Sequence, residues 1–270
     1  MAFMGFFVFL ISSSNAMVYA QTAPLAAFSF EEGSGLTTLD ASGNGKTGTL
    51  VNGPVWTLGQ YGNALSYDGL NDYVSVSNTL DVGTLPLTIS AWVNPTNYSD
   101  YRNIFSKRDT WSAGDMRFNL VLTSGTGRVL LQQPASELSF TYAPPINTWT
   151  HLTIVADSTG TKLYANGVHQ QTLGVFTLGT DGTSQVRIGT NADGPDAFLG
   201  KLDDIRLYAR ALTQTEVQSD MSTPVGGTPL PPDTTVPTVS ISAPIAGATV
   251  SGSTVAVSAT SSDNVGVAGV

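Results

Sequence analysis

Carboxylates are the first residues to weigh for chemistry. The chain carries four Glu (Glu31, Glu32, Glu137 and Glu216) against sixteen Asp. Cleaving a glycosidic bond needs two carboxyl groups about 5–9.5 Å apart across that bond. Glu31 and Glu32 are adjacent, as are Asp203 and Asp204, and neighbours on a regular strand point to opposite faces. Neither pair therefore reads as catalytic. The absence of Cys excludes disulfides, thiolate zinc sites and Cys nucleophiles. No Ser lies in a nucleophile-elbow motif. Of the two His, His151 follows Trp149 in an apolar run and reads as packed and hydrogen-bonded, while His169 follows a turn and reads as solvated.

Loop Asp residues are oxygen donors suited to Ca²⁺, and they are also common turn residues that bond their own backbone. Asp40-Ala-Ser-Gly-Asn-Gly45 imitates the first half of an EF-hand loop, but its twelfth position is Val51, where a bidentate Glu is required. Trp56, Trp92 and Trp149 lie on or at the ends of expected strands and read as core. Tyr98, Tyr101 and Trp111 fall instead in residues 94–115, among Asn, Ser, Asp, Arg and Lys. Read as a loop, that segment would offer flat apolar rings to a sugar, or cap the end of the fold.

The elements that must position these residues are short strands. Period-two apolar segments recur at residues 28–30, 65–67, 73–76, 87–93, 118–122, 129–131, 151–156, 162–165, 185–188 and 204–208. Asn166-Gly167 after Lys162-Leu-Tyr-Ala165 is a hairpin turn, since both central residues need positive φ. Only residues 213–221 carry a helical signal, with Thr213 and Glu216 forming a capping box. Many short strands and one short helix predict an all-β, two-sheet antiparallel sandwich.

Both ends depart from this pattern. Residues 2–11 are an apolar run, followed by a small-residue site at Val18-Tyr-Ala20, so residues 1–20 read as a secretory signal peptide. Residues 223–237 form a Pro/Gly/Thr-rich linker. Beyond it, Thr238-Val-Ser-Ile-Ser242 and Thr254-Val-Ala-Val-Ser258 alternate again. Two strands do not bury a core, so residues 238–270 read as the first part of a further β domain of a longer protein. The net charge of −9, with no basic patch, argues against a nucleic-acid partner.

Six segments in order resemble a known family. They are Phe28-Ser-Phe-Glu-Glu-Gly-Ser-Gly35, Asp40-Ala-Ser-Gly-Asn-Gly45 with Gly48-Thr-Leu50, Leu87-Thr-Ile-Ser-Ala-Trp-Val93, Trp149-Thr-His-Leu152, Leu163-Tyr-Ala-Asn-Gly167 and Gly200-Lys-Leu-Asp-Asp-Ile-Arg-Leu-Tyr-Ala-Arg-Ala-Leu212. Together they resemble the bacterial LamG-like jelly-roll domain of the concanavalin A-like lectin/glucanase superfamily, over residues 25–222. The tail is similar to the start of a bacterial Ig-like repeat. The resemblance implies a jelly-roll sandwich and an extracellular binding or adhesion module whose partner is a polysaccharide or glycoprotein glycan. It leaves open an accessory module of a carbohydrate-active enzyme and a structural spacer. The Glu-x-Asp-x-Glu strand of related glycoside hydrolases is missing, as is the Gln-x-His of jelly-roll lyases.

The resemblance also implies metal. Asp203 matches the Asp that holds a structural Ca²⁺ in related sugar-active jelly rolls, where carbonyls complete the site, here at Glu32 and around Gly45. A second loop, Gly189-Thr-Asn-Ala-Asp193, is similar in spacing to the calcium loop of the pentraxins, with Asn191, Asp193 and Asp115 as its oxygen donors. The candidate ligand site expected from these readings is the loop end carrying Tyr98, Tyr101, Trp111, Asp115, Asn191 and Asp193.

Overall fold

The fold is described from a computed structural model covering residues 23–76, 80, 83–110, 116–133, 136–179, 184–192, 196–227, 238–245, 247–251 and 254–262. The chain divides into two compact units, one ending at Thr228 and one beginning at Pro229. Residues 1–20, Trp111, Asp115 and Asp193 lie outside the described residues.

The first unit begins with β1 (Ala26–Phe28), β2 (Thr37–Thr38), β3 (Gly48–Val51), β4 (Val55–Leu58), β5 (Asn63–Asp68) and β6 (Tyr73–Val76). There follow β7 (Leu87–Pro95), β8 (Arg102–Arg108), β9 (Met116–Leu122), β10 (Val129–Gln133) and β11 (Ser136–Ser139). The last are β12 (Thr150–Asp157), β13 (Gly160–Ala165), β14 (Val168–Leu173), β15 (Val186–Ile188), β16 (Leu199–Tyr208) and the helix α1 (Gln214–Ser222). They form two antiparallel eight-stranded sheets. One runs β14-β13-β12-β7-β16-β5-β4, with β1 also on β16, and the other runs β11-β10-β9-β8-β15-β6-β3-β2. The two-sheet sandwich expected from strand spacing is present.

Local chemistry explains most of these elements. Asn166 (φ 48°) and Gly167 (φ 71°) make the left-handed turn that joins β13 to β14. Thr213 caps α1 in a full capping box with Glu216. Asp40 imitates no EF-hand; its carboxylate accepts from the backbone N–H groups of Ala27, Ser42 and Lys46, closing its own loop. Between the sheets, Leu87, Ile89, Ala91 and Val93 of β7 and Leu152, Ile154 and Ala156 of β12 meet Phe105, Phe118, Leu120 and Leu131.

Two expectations are corrected. Residues 94–115 are not one loop, because β8 occupies Arg102–Arg108 and is buried along its length. Its cations disguised it: Lys107 is fully buried and donates to Ser184 O at 2.9 Å, while Arg102 donates to Ala197 O at 3.0 Å. The first strand ends at Phe28 rather than running to Phe30, whose φ of 55° turns the chain out of the sheet.

The second unit contributes β17 (Thr238–Ala243) and β18 (Ser258–Ser262), an antiparallel pair. Its second strand starts at Ser258, opposite Ala243, four residues later than alternation predicted. Alternation specifies a face; the partner's register specifies where pairing begins. Among the described residues no helix is long and apolar enough to cross a membrane.

Candidate ligand-binding site

The outer face of the sheet that carries β7, β12 and β16 has a covered half and an open half. Outward-pointing Thr88, Ser90 and Trp92 of β7 are buried as completely as its inward residues. What covers them is α1 and the turn at residues 59–62. Tyr61 stacks edge-on against Trp92, with ring centroids 6.0 Å apart, and donates its hydroxyl to Met221 O at 2.7 Å. Trp92 also lies 5.2 Å from the His151 ring. That His is fully buried and neutral, since burial pushes its pKa down to about 4 against the opposing pull of Asp220.

A bulge places the acids of this covered half. β16 pairs Asp203 with Trp92 and resumes at Arg206 with Ser90, leaving Asp204 and Ile205 opposite one residue of β7. Asp204 adopts a φ of 45° there, a conformation Asp tolerates better than most residues. The bulge overturns the expectation that Asp203 and Asp204 point apart: Asp203 meets the turn at Gln60 and Tyr61, and Asp204 meets Arg206 and the segment after α1, both on the covered outer face. Asp203 Oδ2 accepts from the N–H groups of Gln60 (2.8 Å) and Tyr61 (3.1 Å). Burial, with the nearby Asp204 charge, nevertheless lifts Asp203 to about 8. Asp204 accepts from Val225 N and lies 3.6 Å from Arg206 Nη2; burial lifts it to about 6. Each Glu is likewise engaged locally: Glu31 with Asn63 N, Glu32 with Leu39 N, Glu137 with Gln132 and Glu216 with Arg210.

The open half lies one step along the same strands. In register across β5, β16 and β7 stand Ser66, Lys201 and Asn94. With Thr96, Asn147 and Leu199 they line a groove of about 340 Å³, at the small end of ligand sites. Gly200 is required in its floor, because its φ is 133° and a Cβ would collide with the carbonyl of Asn94. Thr96 N donates to Leu199 O and Asn147 N to Pro95 O, so the backbone fixes the rim. Among the described residues, the side-chain polar groups of Ser66, Asn94, Thr96, Asn147 and Lys201 have no protein partner. Together they present hydroxyl, amide and ammonium groups over one aliphatic side chain, which is the inventory for binding a polyhydroxylated molecule.

The residues expected from sequence do not gather at that groove. Tyr98 is half-buried: its ring lies against Gly127 and its hydroxyl donates to Pro144 O. Tyr101 is 40% exposed and free to be touched. Asn191 is only 2% exposed and donates to Asp196 Oδ2 at 2.9 Å, so it faces inward. For the calcium set, Asp203, Glu32 and Gly45 are joined by no contact among the described residues. Asp203 Oδ2 faces N–H donors, Glu32 is tied to Thr38 and Leu39, and Gly45 is exposed. Among the described residues no three acidic, His or Cys side chains converge as a metal site. Ser66, Asn94, Thr96, Asn147 and Lys201 are what sequence reasoning missed. For Asn94 and Thr96 the signal was position: they open the segment already singled out, Asn94 near the end of β7 and Thr96 directly after that strand.

A family model described as the concanavalin A-like lectin/glucanases superfamily matches residues 68–218. The chain belongs to this family. No curated protein sequence matches it. Among solved structures it is similar to domain 4 of a GH43 extracellular arabinanase from Geobacillus stearothermophilus, in complex with arabinotriose. That match has a TM-score of 0.61 and 22% identity, covering 74% of this chain and 98% of that one. The botulinum neurotoxin type G receptor binding domain follows at 0.57 and 16%, covering 74% of this chain and 51% of the toxin domain. Trypanosoma rangeli sialidase in complex with sialic acid matches at 0.55 and 14%, covering 73% and 32%. The chain thus spans about half of the toxin domain and a third of the sialidase. At these identities the likeness establishes the shared jelly roll, and binding modules recur among its bearers.

Proposed function

We propose that this jelly roll is a non-catalytic glycan-binding module of an exported protein, with the ligand seated on the row Ser66–Lys201–Asn94. The observation that carries the reading is the row of polar side chains without a protein partner, among the described residues, gathered in one groove open to solvent. The arabinanase domain supports it, as a jelly roll of the same extent solved with an oligosaccharide. That match also favours a second reading, an accessory module beside a carbohydrate-active domain. Export rests on the apolar run at residues 2–11 and the site at Ala20.

Calcium belongs to the proposal as a structural ion. The oxygen donors that fit it are Asn103 Oδ1 and Asn191 Oδ1, both buried without a partner and both on side chains whose amide nitrogens bond Asp196. Asp203 offers one such oxygen too, Oδ1, while its Oδ2 already faces two N–H groups.

A glycan array at high valency tests the binding reading, because a small polar groove implies micromolar to millimolar affinity. Hits that fade in Asn94→Ala support it. An array blank with and without calcium makes the domain a structural spacer.

A further inference from the structure

Resting on that reading, we infer that the groove selects sugars bearing an anionic group, and that Lys201 is the selecting residue. Lys201 stands at the centre of the row, between Ser66 and Asn94 on the two flanking strands. It is half-buried, and its ammonium has no hydrogen bond or ion pair among the described residues. Several other cations of the fold are engaged. Lys107 donates to Ser184 O, Lys162 pairs with Asp157, Arg206 with Asp204 and Asp220, and Arg210 with Glu216.

Among the described residues, no carboxylate lines the groove. The acids closest by register are Asp203, two residues along β16 with its Oδ2 held by the N–H groups of Gln60 and Tyr61, and Asp68, opposite Leu199 with its Oδ1 held by the N–H groups of Leu70 and Asn71. A protein with a net charge of −9 therefore keeps one uncompensated cation in a partly enclosed polar groove. The ammonium remains in contact with solvent, and a carboxylate or sulfate on the ligand would replace that water with a charge-assisted hydrogen bond. Asn94, Asn147, Ser66 and Thr96 would hold ring hydroxyls of neutral and acidic sugars alike. The discrimination falls to Lys201.

The test is calorimetric titration of the whole chain with trigalacturonic acid, its carboxyl-reduced neutral counterpart, and a sulfated form of that counterpart. The wild type should bind at least one anionic form roughly tenfold tighter than the neutral one, as one hydrogen bond to a charged group provides. Raising salt should erode only that difference. Lys201→Met should weaken the anionic forms roughly tenfold more than the neutral one, and Asn94→Ala should weaken all forms alike. Which anion binds separates a carboxylate site from a sulfate site. Equal binding of neutral and anionic forms by the wild type overturns the selectivity, as does Lys201→Met weakening every ligand equally. Blank titrations with all three sugars, together with a blank array, overturn the glycan reading and this inference with it.

Discussion

Asp220 of α1 accepts a hydrogen bond from Ser90 Oγ of β7 at 2.5 Å, across 130 residues of chain. The same carboxylate accepts from the Tyr208 hydroxyl and lies 3.5 Å from Arg206 Nε. One buried acid thus fastens the helix to two central strands.

Removing that acid should therefore be severe. Asp220→Ala leaves the hydroxyls of Ser90 and Tyr208 without this acceptor and removes one of two carboxylates from the buried Arg206, a loss of about 3–5 kcal/mol. Asp220→Asn retains part of the geometry and should cost less. Urea unfolding of both variants checks the order.

Stability should depend on pH with two opposed slopes. Asp203 titrates at about 8 in the fold against 3.8 when unfolded, so its contribution is complete below 3.8 and is lost as pH rises to 8. Asp204, at about 6, behaves likewise over a shorter window. His151, lowered to about 4 from 6.5, contributes fully above 6.5 and loses that contribution as pH falls to 4. Between pH 6.5 and 8 the Asp203 term stands nearly alone. Unfolding free energy should fall by about 1–2 kcal/mol across that window, and Asp203→Asn should flatten the slope. A flat wild-type profile there would place the Asp203 proton elsewhere.

Chelation should lower the melting temperature, by the equivalent of about 2.7 kcal/mol when calcium exceeds its dissociation constant a hundredfold. The response should disappear in Asn191→Ala and persist in Asp203→Asn. The reverse pattern would return the ion to Asp203; no response in the wild type, with no metal by elemental analysis, would remove it.

The two described tyrosines of the 94–115 segment should separate stability from binding. Tyr98→Ala opens a gap beside Gly127 and the Pro144 carbonyl, and loss of a buried aromatic costs about 3–5 kcal/mol at most. Tyr101→Ala, at an exposed ring, should stay within about 0.5 kcal/mol of wild type. Any loss of glycan binding in Tyr101→Ala at unchanged stability would extend the groove toward that loop. Trp92→Ala, beneath Tyr61 and beside His151, should destabilise at least as much as Tyr98→Ala.

The central strands were legible because alternation survives wherever one face meets the opposite sheet, as at Leu87–Val93 and Leu152–Ala156. The Asn166-Gly167 turn and the Thr213 cap were legible because their chemistry is local. β8 was not, because Arg102, Lys107 and Arg108 look like a solvated segment, and the carbonyls that receive Lys107 and Arg102 in the interior lie 77 and 95 residues away. The Asp203–Asp204 pair was misjudged because a bulge leaves no mark in composition. Nor could sequence show that Lys201 stands between Ser66 and Asn94, since three strands distant along the chain must be aligned before the row exists.

Both ends of the first unit converge on one spot. β1 is held to β16 over only three residue pairs, and the chain leaves α1 through Thr223 and Val225, bonded to Arg206 and Asp204 of that same strand. Pro24, Ala27 and residues 223–227 line a common cleft. A pull on the chain beyond residue 227 would reach the first unit at β16, through Thr223 and Val225, and β16 is also the strand that carries Lys201. Load and ligand would then bear on one strand, so that tension in the tether is felt where a sugar would sit.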